Sequence, residues 1–335
     1  MRVAEIQDKK IVLADREKIT LDGKEGAIVK ILGCGLCGSD IVKFRENIAS
    51  NGTVLGHEIV AEIVEINSCT QFNVGDKIIA SHHIPCFKCA YCKGESYSMC
   101  EHFKSTNIIP GGFSEYVYLS EEHLLNVTHK VPKNLTNKEV SFYEPLGCCI
   151  RAIKRAKLVP QSNVLVIGLG SVGLIMAQAL KSFGMNVYGC DLKDDRVELA
   201  NKLGITAFNS SEKDFTHEFV FSRTNNIGID CVFMTSGATG AIDVALNTVR
   251  LGGKILVFSS IPSDLGYHNN DIYYKELTVL GSYSPRPKDL KKALELLTNY
   301  EVVVKDFSTV YSIDDIQTAF DDMISNKVLK AYIEF

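Results

Sequence analysis

No internal repeat, no low-complexity tract and no uninterrupted apolar run of membrane-spanning length interrupts the ordinary texture of this 335-residue chain. The first two absences set aside stacked-repeat arrays and unstructured linkers. The longest apolar run, 164–180, is broken by Gly168, Gly170, Ser171, Gly173 and Gln178 and falls short of the ~20 residues a spanning helix needs. A strand, a turn and a helix account for it better, so no membrane partner is expected. Excess positive charge is also missing. With 36 basic and 40 acidic side chains the net charge is −4, which leaves no basic field for nucleic acid or an anionic membrane surface. The opening MRVAEIQDKK is charged and lacks the apolar core of a secretory leader. The cysteines number 11, an odd set, so metal-bound and free buried thiols in a reducing cytoplasm are expected rather than a disulfide scaffold.

What is present is material for a core. At 46% apolar and 23% charged, the composition is that of a globular protein, and the length predicts two domains. The chain is organised around one stretch. Cys86, Cys89 and Cys92 are spaced by two residues, and Cys100 follows after a longer spacer. Short turn-forming spacers let four thiolates face one point, the arrangement that tetrahedral structural zinc favours. His82 and His83 precede this stretch, but four cysteines already fill such a site, so they are left out of the ligand set.

The N-terminal part reads as short strands, 11–13 and 27–32, separated by Asp-Gly and Glu-Gly turn signals. Cys34 and Cys37 then form a Cys-x-x-Cys pair. A redox dithiol should open a helix in a compact βαβ unit, and the Gly-rich continuation into Ser39 and Asp40 argues against it. Cys37, His57 and the later Glu144 make a mixed sulfur, nitrogen and oxygen donor set. Catalytic zinc takes three such protein ligands and keeps a position open. Asp40 suits either a helix cap or the carboxylate that fixes the His57 tautomer.

From residue 163 the pattern becomes alternating strand and helix, which implies a doubly wound parallel sheet. Strands are expected at 163–167, 186–190, 229–234, 254–258 and 278–280. Helices are expected over 241–250, 288–298 and 313–324. Gly168, Gly170, Ser171, Val172 and Gly173 lie between a strand and a helix, with Asp191 about twenty positions on. In that context the glycines permit a tight turn and close approach of pyrophosphate to a helix N-terminus. Asp191 is expected to accept hydrogen bonds from the adenosine ribose hydroxyls and to repel a 2′-phosphate, favouring NAD; Lys193 and Arg196 soften that preference. Cys69, Cys148, Cys149, Cys190 and Cys231 sit in apolar neighbourhoods and are read as small core side chains.

Taken together, Cys37-Gly-Ser-Asp40, Gly56-His-Glu58, the four-cysteine lobe, 111–116 (GGFSEY), Glu144-Pro-Leu146 and the dinucleotide fingerprint resemble the zinc-dependent medium-chain dehydrogenases. Residues 144–149 and 281–284 look most like the sorbitol/L-iditol dehydrogenase branch. The resemblance implies a GroES-like, mostly-β catalytic domain formed by 1–150 and 286–335, carrying the structural zinc lobe. It implies a Rossmann NAD-binding domain at 151–285, with the active site in the cleft between the two. Two zinc ions per chain are implied, one on Cys86, Cys89, Cys92 and Cys100, the other on Cys37, His57 and one or both of Glu58 and Glu144. A homo-oligomer, tetramer or dimer, is also implied. The chain departs from the branch in having Val42 and Lys43 where typical members have His and Tyr, and Ser282 where they have a polyol-contacting arginine; Tyr283 is retained.

The expected activity is NAD-dependent oxidation of a secondary alcohol, a polyol or cyclitol, with zinc as Lewis acid and Ser39 passing the proton outward. Alternatives are a sugar phosphate, with Lys43 reaching its anionic end, an aminocyclitol or threonine. A reading of another class is a non-catalytic zinc- and NAD-binding protein.

Overall fold

Valine- and isoleucine-rich segments supply most strands of two large sheets, and a two-stranded hairpin stands apart from them. The computed structural model describes residues 1–68, 71–238, 240–259 and 269–335; Cys69 lies outside them. These residues divide into two compact units. The first comprises Met1–Pro145, Arg286–Thr298 and Val304–Phe335, the second Leu146–Pro285 and Asn299–Val303.

In the first unit a hairpin pairs Arg2–Gln7 with Lys10–Asp15. Asp8 and Lys9 both adopt positive φ, the geometry of a two-residue turn matched to strand twist, and Asn51 Oδ1 accepts from the Asp8 N–H. The main sheet runs Ser308–Ser312, Lys330–Glu334, Gly26–Gly35, Glu58–Ile66, Lys77–Ala80 and Thr128–Lys130, with Tyr116–Ser120 also paired to Gly26–Gly35. Its neighbours are antiparallel except for the first pair. The chain's last strand therefore lies beside Gly33–Gly35, which leads into the predicted metal cysteine. The buried core of this unit is aliphatic, with Phe113 and Phe320 in ring contact.

The second unit holds a six-stranded sheet, all parallel, ordered Thr206–Asn209, Asn186–Asp191, Asn163–Ile167, Ile229–Met234, Val249–Val257 and Thr278–Gly281. This is the doubly wound order in which ligands bind outside the carboxyl ends of the central strands. Strand Val249–Val257 begins within what the helical pattern assigned to 241–250, and the helix stops at Thr248. Gly252 at φ +65° and Gly253 interrupt the strand pattern, and register with the neighbouring strand shifts there. In the first unit, the helix expected over 313–324 opens with a single 3₁₀ turn, Ile313–Asp315. Cys149, Cys190 and Cys231 are buried and Cys148 half-buried; every cysteine among the described residues is reduced. No helix among the described residues is long and apolar enough to cross a membrane.

One buried histidine gives the first unit a pH dependence. His123 donates from Nε2 to the His82 carbonyl (3.1 Å) and accepts at Nδ1 from the Ser120 hydroxyl (2.8 Å). Burial pulls it down to about 4, although the carbonyl partly opposes the shift. The unfolded chain binds this proton below about pH 6.5 and the folded chain does not, so stability present above pH 6.5 is lost progressively toward pH 4. Between pH 7 and 5 the loss is about 2 kcal/mol, read as the shift in urea unfolding free energy. His123→Gln should remove that part of the slope; an unchanged slope would assign the acid sensitivity elsewhere.

Candidate active site and metal centres

Strand Gly26–Gly35 delivers Cys37 to the start of a short helix, Gly38–Arg45. A Cβ at Gly35 would stand 2.1 Å from Glu58 Oε2, so only glycine admits the Glu58 carboxylate beside this strand. Asp40 serves both roles foreseen for it. Its Oδ2 accepts from the Cys37 N–H at 3.2 Å, capping the helix, while Oδ1 lies 3.4 Å from His57 Nδ1. That contact leaves Nε2 of His57 as the nitrogen available to a metal.

Cys37 Sγ, a His57 ring nitrogen and a Glu58 carboxylate oxygen lie within 4.8 Å of one another. Glu58 Oε2 is 2.5 Å from Lys330 Nζ, and Oε1 has no hydrogen-bond partner although buried. The donor set points to a cation: the acidic side chains Asp40 and Glu58 and the Cys37 sulfur converge in one enclosed place beside His57 and Lys330. Burial pushes His57 down, but the negative field of Asp40 and Cys37 outweighs it and holds the imidazole well above its ordinary range. Burial likewise pulls on Lys330, and Glu58 and Cys37 more than restore it. Sulfur, nitrogen and oxygen donors in this set fit zinc. Cys34, by contrast, is fully buried, and its thiol is pushed well up by burial and by Asp40 and Glu58. A redox pair needs the opposite shift.

The second cluster joins Cys86, Cys89, Cys92 and Cys100, all four sulfurs within 4.8 Å of one another. Cys86 Sγ and Cys92 Sγ are 3.9 Å apart, too far for a disulfide and close to the ~3.8 Å edge of a tetrahedron with ~2.3 Å zinc–sulfur bonds. Burial opposes ionisation of Cys100, yet N–H groups of Cys86 and Phe103 bring it down to about 6. Burial and the neighbouring thiols send Cys92 up to about 12. Backbone donors also bring Cys86 down, so two of the four sulfurs are already favoured as thiolates, whereas Cys92 is the one that burial and its neighbours oppose.

In the second unit Gly170 caps helix Ser171–Ser182, whose first turn contains Ser171, Val172 and Gly173. A Cβ on Gly173 would fall 1.8 Å from the Gly168 carbonyl, whereas nothing lies within 4 Å of one on Gly170. Backbone is therefore tight beneath the turn and open above it, as a pyrophosphate requires. Asp191 Oδ2 accepts from the Leu169 N–H (2.6 Å) and Oδ1 from the Lys193 N–H (3.0 Å). Its carboxylate is thereby fixed at the end of its strand. Arg196 is mostly buried and its Nε lies 3.8 Å from Asp195. Thr235, which the sequence did not single out, donates to the Gly168 carbonyl at 2.7 Å and braces the turn.

Residues 23–132 match the family of alcohol dehydrogenase GroES-like domains, and residues 171–299 that of zinc-binding dehydrogenases. A sorbitol dehydrogenase of Halalkalibacterium halodurans is 32% identical over 320 residues, covering 93% of this chain and 92% of the relative. The chain belongs to the zinc-dependent medium-chain dehydrogenases, in their polyol dehydrogenase branch. A D-arabitol-phosphate dehydrogenase of Enterococcus avium is 29% identical over 92% of this chain and 89% of its own. Among solved structures, an Escherichia coli oxidoreductase/dehydrogenase of unknown specificity superimposes with a TM-score of 0.87 at 25% identity, covering 100% of this chain and 99% of the other.

This dehydrogenase is a zinc-dependent oxidoreductase that takes a nicotinamide cofactor. Glu144 is buried at the start of helix Tyr143–Ala156 and is not in the Cys37 cluster. Ser39 is exposed on the first turn after Cys37. Two side chains at the metal cluster were not chosen from sequence. Lys330 is fully enclosed in the last strand, and the His82 ring stands 4.5 Å from that of His57. The sequence signal for Lys330 is slight: a charged residue opening a strand whose next three residues are Ala, Tyr and Ile.

Proposed function

We propose that the enzyme interconverts a secondary alcohol of a polyol or cyclitol and its ketone, using NAD and a zinc ion held by Cys37, His57 and Glu58. The observation that carries this is the convergence of those three unlike donors beside a Glu58 oxygen that has no other partner. Glu144 is kept as an additional ligand candidate, and Cys86, Cys89, Cys92 and Cys100 as the structural zinc set. The catalytic domain is assigned to 1–150 and 286–335 and the NAD domain to 151–285. Reduced thiols suit a cytoplasmic setting.

When bound, zinc supplies Lewis acidity toward the substrate oxygen and NAD the hydride acceptor. The chain does the rest. Asp40 keeps His57 oriented, and Lys330 retains one Glu58 oxygen. Ser39, exposed beside the metal cysteine, takes the hydroxyl proton toward solvent. Gly168, Gly170, Ser171, Val172 and Gly173 cradle pyrophosphate, with Asp191 on the ribose and Arg196 beside it. NADH formation across polyols, cyclitols, sugar phosphates and simple secondary alcohols tests the reading; silence with both zinc sites filled would reject it. Asp191→Ser should lower the NAD/NADP preference by about 10–100-fold, through loss of a charge-assisted hydrogen bond and of repulsion toward the 2′-phosphate. An unchanged ratio of kcat/KM values would remove Asp191 from cofactor selection.

A second reading, a phosphorylated polyol, is favoured by the arabitol-phosphate relative and by Lys43, whose charge reaches Asp40, His82 and His83. Activity confined to phosphorylated substrates, lost in Lys43→Gln, would select it.

A further inference from the structure

A line of rings leads away from the metal cluster. His57 and His82 have centroids 4.5 Å apart, His82 and His83 3.9 Å, and His83 and Phe103 4.8 Å. His83 is satisfied, its Nδ1 lying 2.6 Å from the Thr106 carbonyl. His123 is satisfied at both nitrogens. His82 differs. Its carbonyl receives His123, but its Nδ1 is buried and has no hydrogen-bond partner. A buried ring nitrogen left alone costs a large part of its desolvation, so a position like this is normally completed by something that binds.

From this geometry we infer that His82 is a substrate-binding residue, which pairs through Nδ1 with the hydroxyl on the carbon next to the reacting carbinol and so selects vicinal diols. The inference rests on the dehydrogenase reading of the Cys37 cluster. The His82 ring packs against the ring of His57, one of the three proposed zinc ligands, so it is a neighbour of the place where the reacting oxygen would be held. The chemistry of that nitrogen favours a hydroxyl over other groups. Depending on tautomer, Nδ1 either donates or accepts, and a hydroxyl answers both, whereas a carboxylate or phosphate answers only a donor. A site built around a substrate hydroxyl discriminates strongly against an analogue that lacks it, because its own polar group is then stranded.

The test compares butane-2,3-diol with butan-2-ol, which differ by that hydroxyl, on zinc-loaded wild type and His82→Phe. Phenylalanine keeps the ring contacts and removes the nitrogen. The diol-to-monoalcohol ratio of kcat/KM should fall by about 10–100-fold in the variant, with the loss mostly in KM, and His82→Asn should recover part of it. A second readout does not need turnover. In cobalt-substituted protein, the visible spectrum titrated with each alcohol should give a tighter dissociation constant for the diol in wild type only. An unchanged ratio and unchanged titrations would overturn the role of His82 while leaving the dehydrogenase reading intact. Failure of wild type to oxidise either alcohol or any polyol, with both metals bound, would overturn both.

Discussion

Cys37→Ser and His57→Ala are each expected to lower kcat/KM of the zinc-loaded enzyme by about 10³-fold or more, while NAD affinity stays within about twofold. Lewis-acid stabilisation of a developing oxyanion amounts to several kcal/mol, and about 1.4 kcal/mol corresponds to tenfold in rate. The cofactor's affinity should hold because the proposed dinucleotide turn, braced by Thr235 and Asp191, belongs to the second unit, whereas both proposed ligands belong to the first. Zinc analysis should fall from two ions per chain toward one, the four-cysteine cluster being untouched. Asp40→Asn is the graded companion. It preserves the shape of the group but weakens its grip on His57, and 10–100-fold in zinc affinity is the usual cost of such a change. Full turnover in Cys37→Ser, or loss of both zinc ions, would contradict the assignment of the two metal sets.

Both donor clusters could be picked out in the sequence, for different reasons. The cysteine lobe is local, since four ligands in one short segment carry their geometry in their spacing. The dinucleotide turn is local in the same sense, because a strand, three glycines and a helix are consecutive. The Cys37 cluster is not local. Its residues were chosen by donor chemistry and by resemblance, and the structure gathers Cys37, His57 and Glu58 through pairing of Gly26–Gly35 with Glu58–Ile66. Glu144, chosen on the same basis, stands outside that cluster. What spacing could not reveal is what arrives from far along the chain. Lys330 reaches Glu58 only because Tyr332–Glu334 pairs with Gly33–Gly35, and His82 meets His57 through pairing of Ile59 with Ala80. The strand over Val249–Val257 was misjudged at its start for a simpler reason: a glycine pair within a strand looks like a turn.

Lys330→Met should be the most destabilising single change at this site, at about 3–5 kcal/mol, because it strands the Glu58 carboxylate in an enclosed position. The Glu58 side chain is wholly inaccessible and Lys330 nearly so, and Oε2 has the ammonium 2.5 Å away. Methionine fills a similar volume, so the cost reads the missing charge rather than a cavity. The sign of the companion experiment separates the two. Adding Glu58→Gln to Lys330→Met removes the stranded charge, and the double variant should regain a good part of the lost unfolding free energy, a coupling of about 1–3 kcal/mol. If the single change is nearly neutral and the double change is additive, Lys330 is dispensable for holding Glu58. If coupling is found, the last strand is what closes the metal cluster. The first unit then has to recover its C-terminal segment before Glu58 can be presented to zinc, which ties completion of the fold to completion of the site.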